Sequence, residues 1–150
     1  MELILWRHAE AEDTYPDASR ELTNKGLDQA QRMANWLQTK LPEHTQVIVS
    51  PTRRTQQTAT ALTEHFITDG TVGPGANVQA VLNAAGWPSA SGVVVIVGHQ
   101  PTIGEVVHHL IPVVPAGLRV RRGSVWWIRC QEKDTGIESV LHTVMYPDML

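Results

Sequence analysis

Apolar residues in this chain follow two rhythms. Leu3-Ile4-Leu5-Trp6, Val47-Ile48-Val49 and Val93-Val94-Val95-Ile96-Val97 are unbroken apolar runs. Short runs without alternation read as strands buried on both faces, as in a parallel sheet. Between them the apolar positions widen to helical spacing. Leu27, Ala30, Met33, Ala34 and Leu37 predict a first helix, with Trp36 adjoining, Thr23 at its N-cap and Pro42 just beyond its end. A second helix is expected to start at Ser50-Pro51, with serine as cap and proline in the first helical position. It should turn Ala59, Leu62 and Phe66 inward and end near Thr68. A third helix runs from Pro101 to about Leu110. Residues 69–77 (DGTVGPGAN) read as a glycine-rich loop and Val78 to Leu82 as a short strand. Residues 83–92 carry turn signals and are too short for a crossover helix, which would leave one wall of the sheet open. Ser124–Gln131 and Ile137–Met145 predict an antiparallel hairpin, turning at Lys133-Asp134-Thr135-Gly136.

Strand and helix alternating three times before a hairpin predict an α/β fold. The expected form is a three-layer α/β/α sandwich with a mostly parallel sheet and an antiparallel hairpin at one edge. At 150 residues one domain, 1–150, is expected. The composition, 42% hydrophobic and 18% charged, is that of a soluble globular protein. A net charge of −3 argues against nucleic acid or an anionic membrane surface as partner. No segment approaches the ~20 apolar residues of a membrane span. The start, MELILWRH, lacks the basic n-region and long apolar h-region of a signal peptide. A single cysteine, Cys130, cannot form an internal disulfide, so a reducing cytoplasm is expected. Cys130 sits in the apolar run SVWWIRC and reads as a small core residue; of the adjacent Trp126 and Trp127, one should face the core and the other lie exposed or against a helix.

The three strongest strands end at Arg7-His8, Ser50-Pro51 and Gly98-His99. Parallel strands present their carboxyl ends on one side, where ligands of open α/β sheets bind. Two histidines and an arginine therefore gather at one rim. Arg53 and Arg54 join them from the first turn of the second helix, where cations oppose the helix dipole and need a reason. A bound dianion supplies one, since it accepts both the charge and the free N–H groups. At such a rim a neutral His8 imidazole is a competent nucleophile towards phosphorus, and neighbouring guanidinium groups both keep it neutral and balance the phosphoryl oxygens. No acidic cluster of metal-ligand type accompanies these strand ends, so neither a metal nor another cofactor is expected.

The segments LILWRHAEAE, SPTRRTQQTA and VIVGHQPTIGEVV resemble, in order and in their relation to the strands, the three motifs of the histidine phosphatase superfamily, also called phosphoglycerate-mutase-like. The small size, RHAEAE in place of the commoner RHG, and Arg20-Glu21-Leu22-Thr23-Asn24-Lys25-Gly26 resemble its bacterial phosphohistidine phosphatase branch. The resemblance implies His8 as nucleophile, Arg7 as its phosphate-binding neighbour, and His99 as the second histidine. The S-P-x-x-R-x-x-Q-T pattern falls on Arg54, with Gln57 and Thr58 following, and leaves Arg53 pointing elsewhere. Many superfamily members carry a general-acid carboxylate after the second helix. Here VQAVLNAAGWPSASG contains no Asp or Glu. That fits a phosphorylated imidazole, which leaves well when protonated and needs a strong acid less than an alkoxide does.

Three functions are compatible with these features. The leading one is dephosphorylation of a phosphohistidine-bearing protein, such as a phosphotransfer domain. The others are hydrolysis of small phosphomonoesters and weakly catalytic binding of phosphorylated partners. The intact His8, Arg7, Arg54 and His99 set argues against the last, and the missing acid against the second. Arg20 is a further candidate for reaching substrate from its loop. Glu10 and Glu12 read as a solvated loop more readily than as proton shuttles. Arg119, Arg121 and Arg122 read as a solvated basic loop. His44, His65 and His142 read as surface residues, and His108-His109 as a solvent-facing or half-buried helical pair.

Overall fold

The computed structural model describes residues 1–150. The opening apolar run is β1 (Glu2–Arg7), followed by α1 (Asn24–Gln38), β2 (Gln46–Val49) and α2 (Arg53–Thr60). A two-residue strand, β3 (Ile67–Thr68), precedes α3 (Val78–Ala85), β4 (Val93–Gly98) and α4 (Thr102–Leu110). The hairpin strands β5 (Val125–Lys133) and β6 (Gly136–Met145) close the sheet. Its order is β3-β2-β4-β1-β5-β6. The first four of these run parallel, and β5 and β6 are antiparallel at the far edge, giving the expected architecture.

The continuous apolar runs are explained by cores on both faces. Alternate strand residues point to opposite sides. Leu3, Leu5, Val94 and Ile96 pack on one face with Val81 and Leu82 of α3 and Ile103, Val106 and Val107 of α4. Ile4, Trp6, Val95 and Val97 pack on the other with Met33, Ala34 and Leu37 of α1 and Ala59 of α2. The adjacent tryptophans divide the same way, Trp126 into the first core and Trp127 into the second, and both are buried. Cys130 is only half-buried; it lies towards the outer part of the hairpin opposite Ser139 rather than in the core.

Two segments depart from the sequence expectation. Helix α2 begins at Arg53 with Thr52 in the cap position, not at Pro51 behind Ser50, and it ends at Thr60, not near Thr68. Its start is delayed because Ser50 still belongs to the sheet: its N–H donates to the Val97 carbonyl at 3.1 Å. Its end comes early because Ile67 and Thr68 pair with Ile48 and Val49, so an extra edge strand outcompetes continued helix. The second departure is α3, which replaces the expected strand at Val78–Leu82. The Asn77 side chain caps it by accepting from the Ala80 N–H at 2.9 Å, and Gly86 ends it at φ 70°. Val78, Val81, Leu82 and Ala85 all meet the first core. The crossover helix for which residues 83–92 are too short thus starts upstream, and the wall expected to be open is built.

In α1, Thr23 caps as expected by accepting from the Gly26 N–H at 2.9 Å. Leu27, however, is exposed, and Gly26 takes the inward place. A Cβ at Gly26 would overlap the Glu10 carbonyl. The missing side chain lets α1 close onto the loop leaving β1, the loop that carries His8.

Candidate active site

Sheet register assembles the site. Arg7 stands opposite Gly98 in the β1–β4 ladder, and the His8 N–H donates to the Gly98 carbonyl at 3.1 Å. On the other side of β4, Val49 stands opposite Val97. The residues following three adjacent strands, His8, His99 and Ser50, therefore share one rim. The two imidazole rings lie 5.4 Å apart between centroids.

Each imidazole has a defined tautomer. His8 Nδ1 lies 2.7 Å from the Ala9 carbonyl oxygen. A carbonyl only accepts, so Nδ1 carries the proton and Nε2 holds a lone pair. His99 Nε2 lies 2.7 Å from Ser50 Oγ, and its Nδ1 lies 3.5 Å from an Arg54 nitrogen. Arginine only donates, so His99 Nδ1 is the acceptor and Nε2–H donates to Ser50. Ser50, expected as a helix cap, instead fixes the second histidine.

Both rings are neutral in the neutral pH range. Burial lowers His8 to a pKa of about 3, assisted by the charges of His99, Arg54 and Arg7 and only partly opposed by the Ala9 hydrogen bond. Burial and the Arg54 charge lower His99 to about 4, against the opposing pull of Asp17.

Arg54 is 4% exposed, whereas Arg53 is exposed and reaches Glu21 at 3.4 Å. One Arg54 amino group donates to the Asp17 carbonyl at 2.9 Å, and the other lies 3.2 Å from the Asp17 carboxylate. Arg7 donates to the Val120 carbonyl at 2.7 Å, and burial together with Arg122, Arg119 and Arg54 lowers its pKa to about 10, so it stays charged. The buried Nε atoms of both Arg7 and Arg54 have no acceptor. Helix α2 has no side-chain cap, because the Thr52 hydroxyl is engaged with that of Thr55 at 2.7 Å. Two guanidinium groups, with spare donors, thus stand beside an uncapped helix N-terminus and an unprotonated imidazole nitrogen. Such a set can bind a phosphoryl dianion and attack its phosphorus.

Supporting contacts lock this geometry. Thr58 of α2 accepts from the Ala9 N–H at 3.1 Å and donates to the Arg54 carbonyl at 2.8 Å, tying the segment after β1 to α2. Gln57 accepts from the Leu22 N–H at 2.7 Å. Arg20 donates to the Glu12 carbonyl at 2.7 Å and reaches the Asp17 carboxylate at 3.3 Å. It therefore braces the loop whose Asp17 holds Arg54.

Sequence reasoning missed Asp17. Desolvation pulls its carboxyl upward, but the hydrogen bonds and charges of Arg20 and Arg54 prevail and hold it below the usual carboxylate range. Its only sequence signal is position, in a polar loop next to Pro16. The basic trio also differs from expectation. Arg119, Arg121 and Arg122 are exposed, yet they are arrayed around a cleft that Arg7 also lines, rather than scattered on a solvated loop. His44, His65, His109 and His142 are exposed, and His108 is half-buried against the Val114 carbonyl. No group of three or more His, Cys, Asp or Glu is arranged to hold a metal ion, and no helix is long and apolar enough to cross a membrane.

Fold and site together define the class. Residues 3–72 match the family model of the histidine phosphatase superfamily, branch 1, and the chain belongs to that superfamily. It is 32% identical over 125 residues to the phosphohistidine phosphatase SixA of Escherichia coli, an alignment covering 75% of each chain. The fold superposes on the structure of a protein histidine phosphatase SixA complexed with tungstate with a TM-score of 0.80, at 24% identity and 99% coverage of both chains. It also matches a phosphoserine phosphatase from Entamoeba histolytica with a TM-score of 0.75, at 15% identity and covering 99% of this chain and 98% of that one.

Proposed function

We propose that this protein is a phosphohistidine phosphatase that acts on a phosphohistidine-bearing protein in the cytoplasm through a covalent intermediate on His8. The observation that carries the reading is the state of His8: Nδ1–H committed to a backbone carbonyl, Nε2 unprotonated, and the charges of Arg7 and Arg54 beside it. The identity with the Escherichia coli phosphohistidine phosphatase supports the substrate class.

In the first step His8 Nε2 forms a bond to phosphorus as the bond from phosphorus to the substrate imidazole breaks. The substrate departs as neutral imidazole when its other nitrogen already carries a proton. Arg7, Arg54 and the N-terminus of α2 hold the equatorial oxygens as charge builds on them. His99, oriented by Ser50, is the second imidazole at the transferring group. In the second step water attacks the phosphorus of phospho-His8, releasing inorganic phosphate and restoring the nucleophile. Every charge needed at the phosphoryl group comes from the chain itself. The test is direct: purified enzyme should remove phosphate from a histidine-phosphorylated phosphotransfer protein and release it stoichiometrically. Failure to do so while small phosphomonoesters turn over would replace this reading by the small-substrate one.

Arg54, not Arg53, should be the phosphate ligand of α2. Loss of a charge-assisted contact to a transferring phosphoryl group should lower kcat/KM by on the order of 10²-fold or more in Arg54→Ala. Arg53→Ala should stay within about threefold of the parent, because an exposed ion pair contributes little. The reverse pattern would show that the helix has been read in the wrong register.

A further inference from the structure

Arg7, the residue before His8, lines an open cleft of about 480 Å³ whose lining contains no hydrophobic residue. Five of the chain's 12 Lys and Arg residues collect around it, namely Arg7, Lys25, Arg119, Arg121 and Arg122, with Glu10 the one carboxylate among them. That concentration stands on a chain of net charge −3. Some of the charge is answered internally: Arg122 faces Glu10 at 3.6 Å, and Arg121 reaches Asp148 at 3.5 Å while lying over the Tyr146 ring. Arg119 and Lys25 have no ion-pair partner. Gathering like charges is unfavourable, and a cleft that does so favours anions.

The basic residues are held in place relative to the nucleophile. The segment carrying Arg119, Arg121 and Arg122 is pinned by the Arg7 bond to the Val120 carbonyl and by the Gln100 amide, which donates to the Leu118 carbonyl at 2.9 Å. The Gly123 N–H lies 3.0 Å from the His8 carbonyl oxygen. At Gly104 a Cβ would stand 2.5 Å from the Leu118 carbonyl, so glycine is what lets α4 approach the segment. Lys25 comes from a different element, the start of α1. A ligand satisfying Arg119 and Lys25 together must meet cations carried on two different segments of the chain.

We infer that this cleft is a second anion-binding subsite, which takes the acidic side chains flanking the phosphohistidine of the protein substrate. The inference deepens the phosphohistidine reading and rests on it. A lining without hydrophobic residues offers nothing to bury an apolar body. The cations come from separate segments of the chain, the 119–122 loop and the start of α1. Carboxylates spaced along a polypeptide meet the cations of both segments, while the phosphoryl group occupies the His8 site beside Arg7.

The test uses two synthetic phosphohistidine peptides, one with Asp and Glu flanking the phosphorylated residue and one with Asn and Gln in their place, together with phosphoramidate. Two partly solvated charge pairs support roughly a tenfold preference in kcat/KM for the acidic peptide, expressed in KM rather than kcat. That preference should shrink as ionic strength rises. The double variant Lys25→Gln/Arg119→Gln should lose it, while turnover of the neutral peptide and of phosphoramidate stays within about threefold. Equal use of both peptides by the parent enzyme, or an undiminished preference in the double variant, overturns the subsite. So does a loss in the double variant that falls on a small bisphosphorylated alcohol and spares the peptides, which would make the cleft a second-phosphate pocket. If the parent enzyme turned over neither peptide but did hydrolyse phosphomonoesters, the phosphohistidine reading itself would fall, and this inference with it.

Discussion

His8→Ala and His8→Asn should abolish turnover of every substrate the enzyme accepts. Removing the nucleophile of a covalent mechanism costs on the order of 10⁴-fold or more, with the residue left to binding and electrostatic groups. Rapid acid-free quenching of the parent enzyme with labelled substrate should trap one phosphoryl group per chain, stable to base, labile to acid, and absent from both variants. The pH dependence carries a second signature. Because His8 titrates at about 3 in the folded protein, it stays an unprotonated nucleophile far below the ordinary histidine range. The free enzyme's kcat/KM, corrected for the substrate's own ionisation, should therefore show no acid limb near ~6.5 attributable to His8. The same depression bears on stability. Between ~6.5 and about 3 the unfolded chain binds a proton at His8 that the folded chain refuses, so stability falls as pH drops through that window. His8→Asn removes this term. Its urea midpoint should fall less than the parent's between neutral pH and pH ~4, which also establishes that the inactive variant is folded. A variant that keeps parental turnover, or an adduct that forms without His8, would remove the histidine from the chemistry.

The sheet and its functional rim were legible because both come from local, strong signals. A continuous apolar run has one good solution in a soluble α/β protein, and polar residues at its end have few purposes other than a site. Arg7, His8 and His99 could be brought to one rim from that together with the shared direction of three parallel strands, and Arg54 from helix geometry together with its motif. What escaped was set by tertiary partners. Ser50 looks like a helix cap in sequence, but in the fold its N–H extends the sheet ladder and its hydroxyl accepts from His99. At α3, Val78 and Val81 suggest β structure, although Asn77 and Gly86 bracket a helix of the right length. Asp17 has no periodic signal, since its role exists only once Arg54 is brought to it across 37 positions of sequence. The basic trio at 119–122 looked like solvated charge because nothing local reveals that Val120 between them is buried and bonded to Arg7.

The structure sharpens the expectation for leaving groups. The enzyme should hydrolyse phosphohistidine, phosphoramidate and nitrophenyl phosphate, with simple alkyl phosphates such as glycerol phosphate slower by about 10²–10⁴-fold, the contribution of a positioned general acid. Helix α3 and the turn after it, residues 78–92, bring no carboxylate to the site. Two carboxylates do lie at its margins, and neither is placed to protonate a departing alkoxide. Asp17 is engaged by Arg54 and Arg20, which hold it ionised below the usual range. Glu10 accepts from the Thr23 hydroxyl at 2.8 Å with one oxygen and faces Arg122 with the other. Both histidines at the rim are neutral, and the one proton on each is committed, to the Ala9 carbonyl in His8 and to Ser50 in His99. An alkoxide must therefore leave nearly unassisted, whereas a protonated imidazole or a nitrophenolate needs no help. Each ~1.4 kcal/mol of leaving-group stabilisation is worth tenfold in rate, so log kcat/KM should fall steeply with leaving-group pKa across an aryl-to-alkyl series. Comparable kcat/KM for glycerol phosphate and phosphoramidate would reveal an acid in the free site. Glu10→Gln and Asp17→Asn would then identify it: the true donor, once removed, should slow the alkyl substrate selectively and restore the steep dependence.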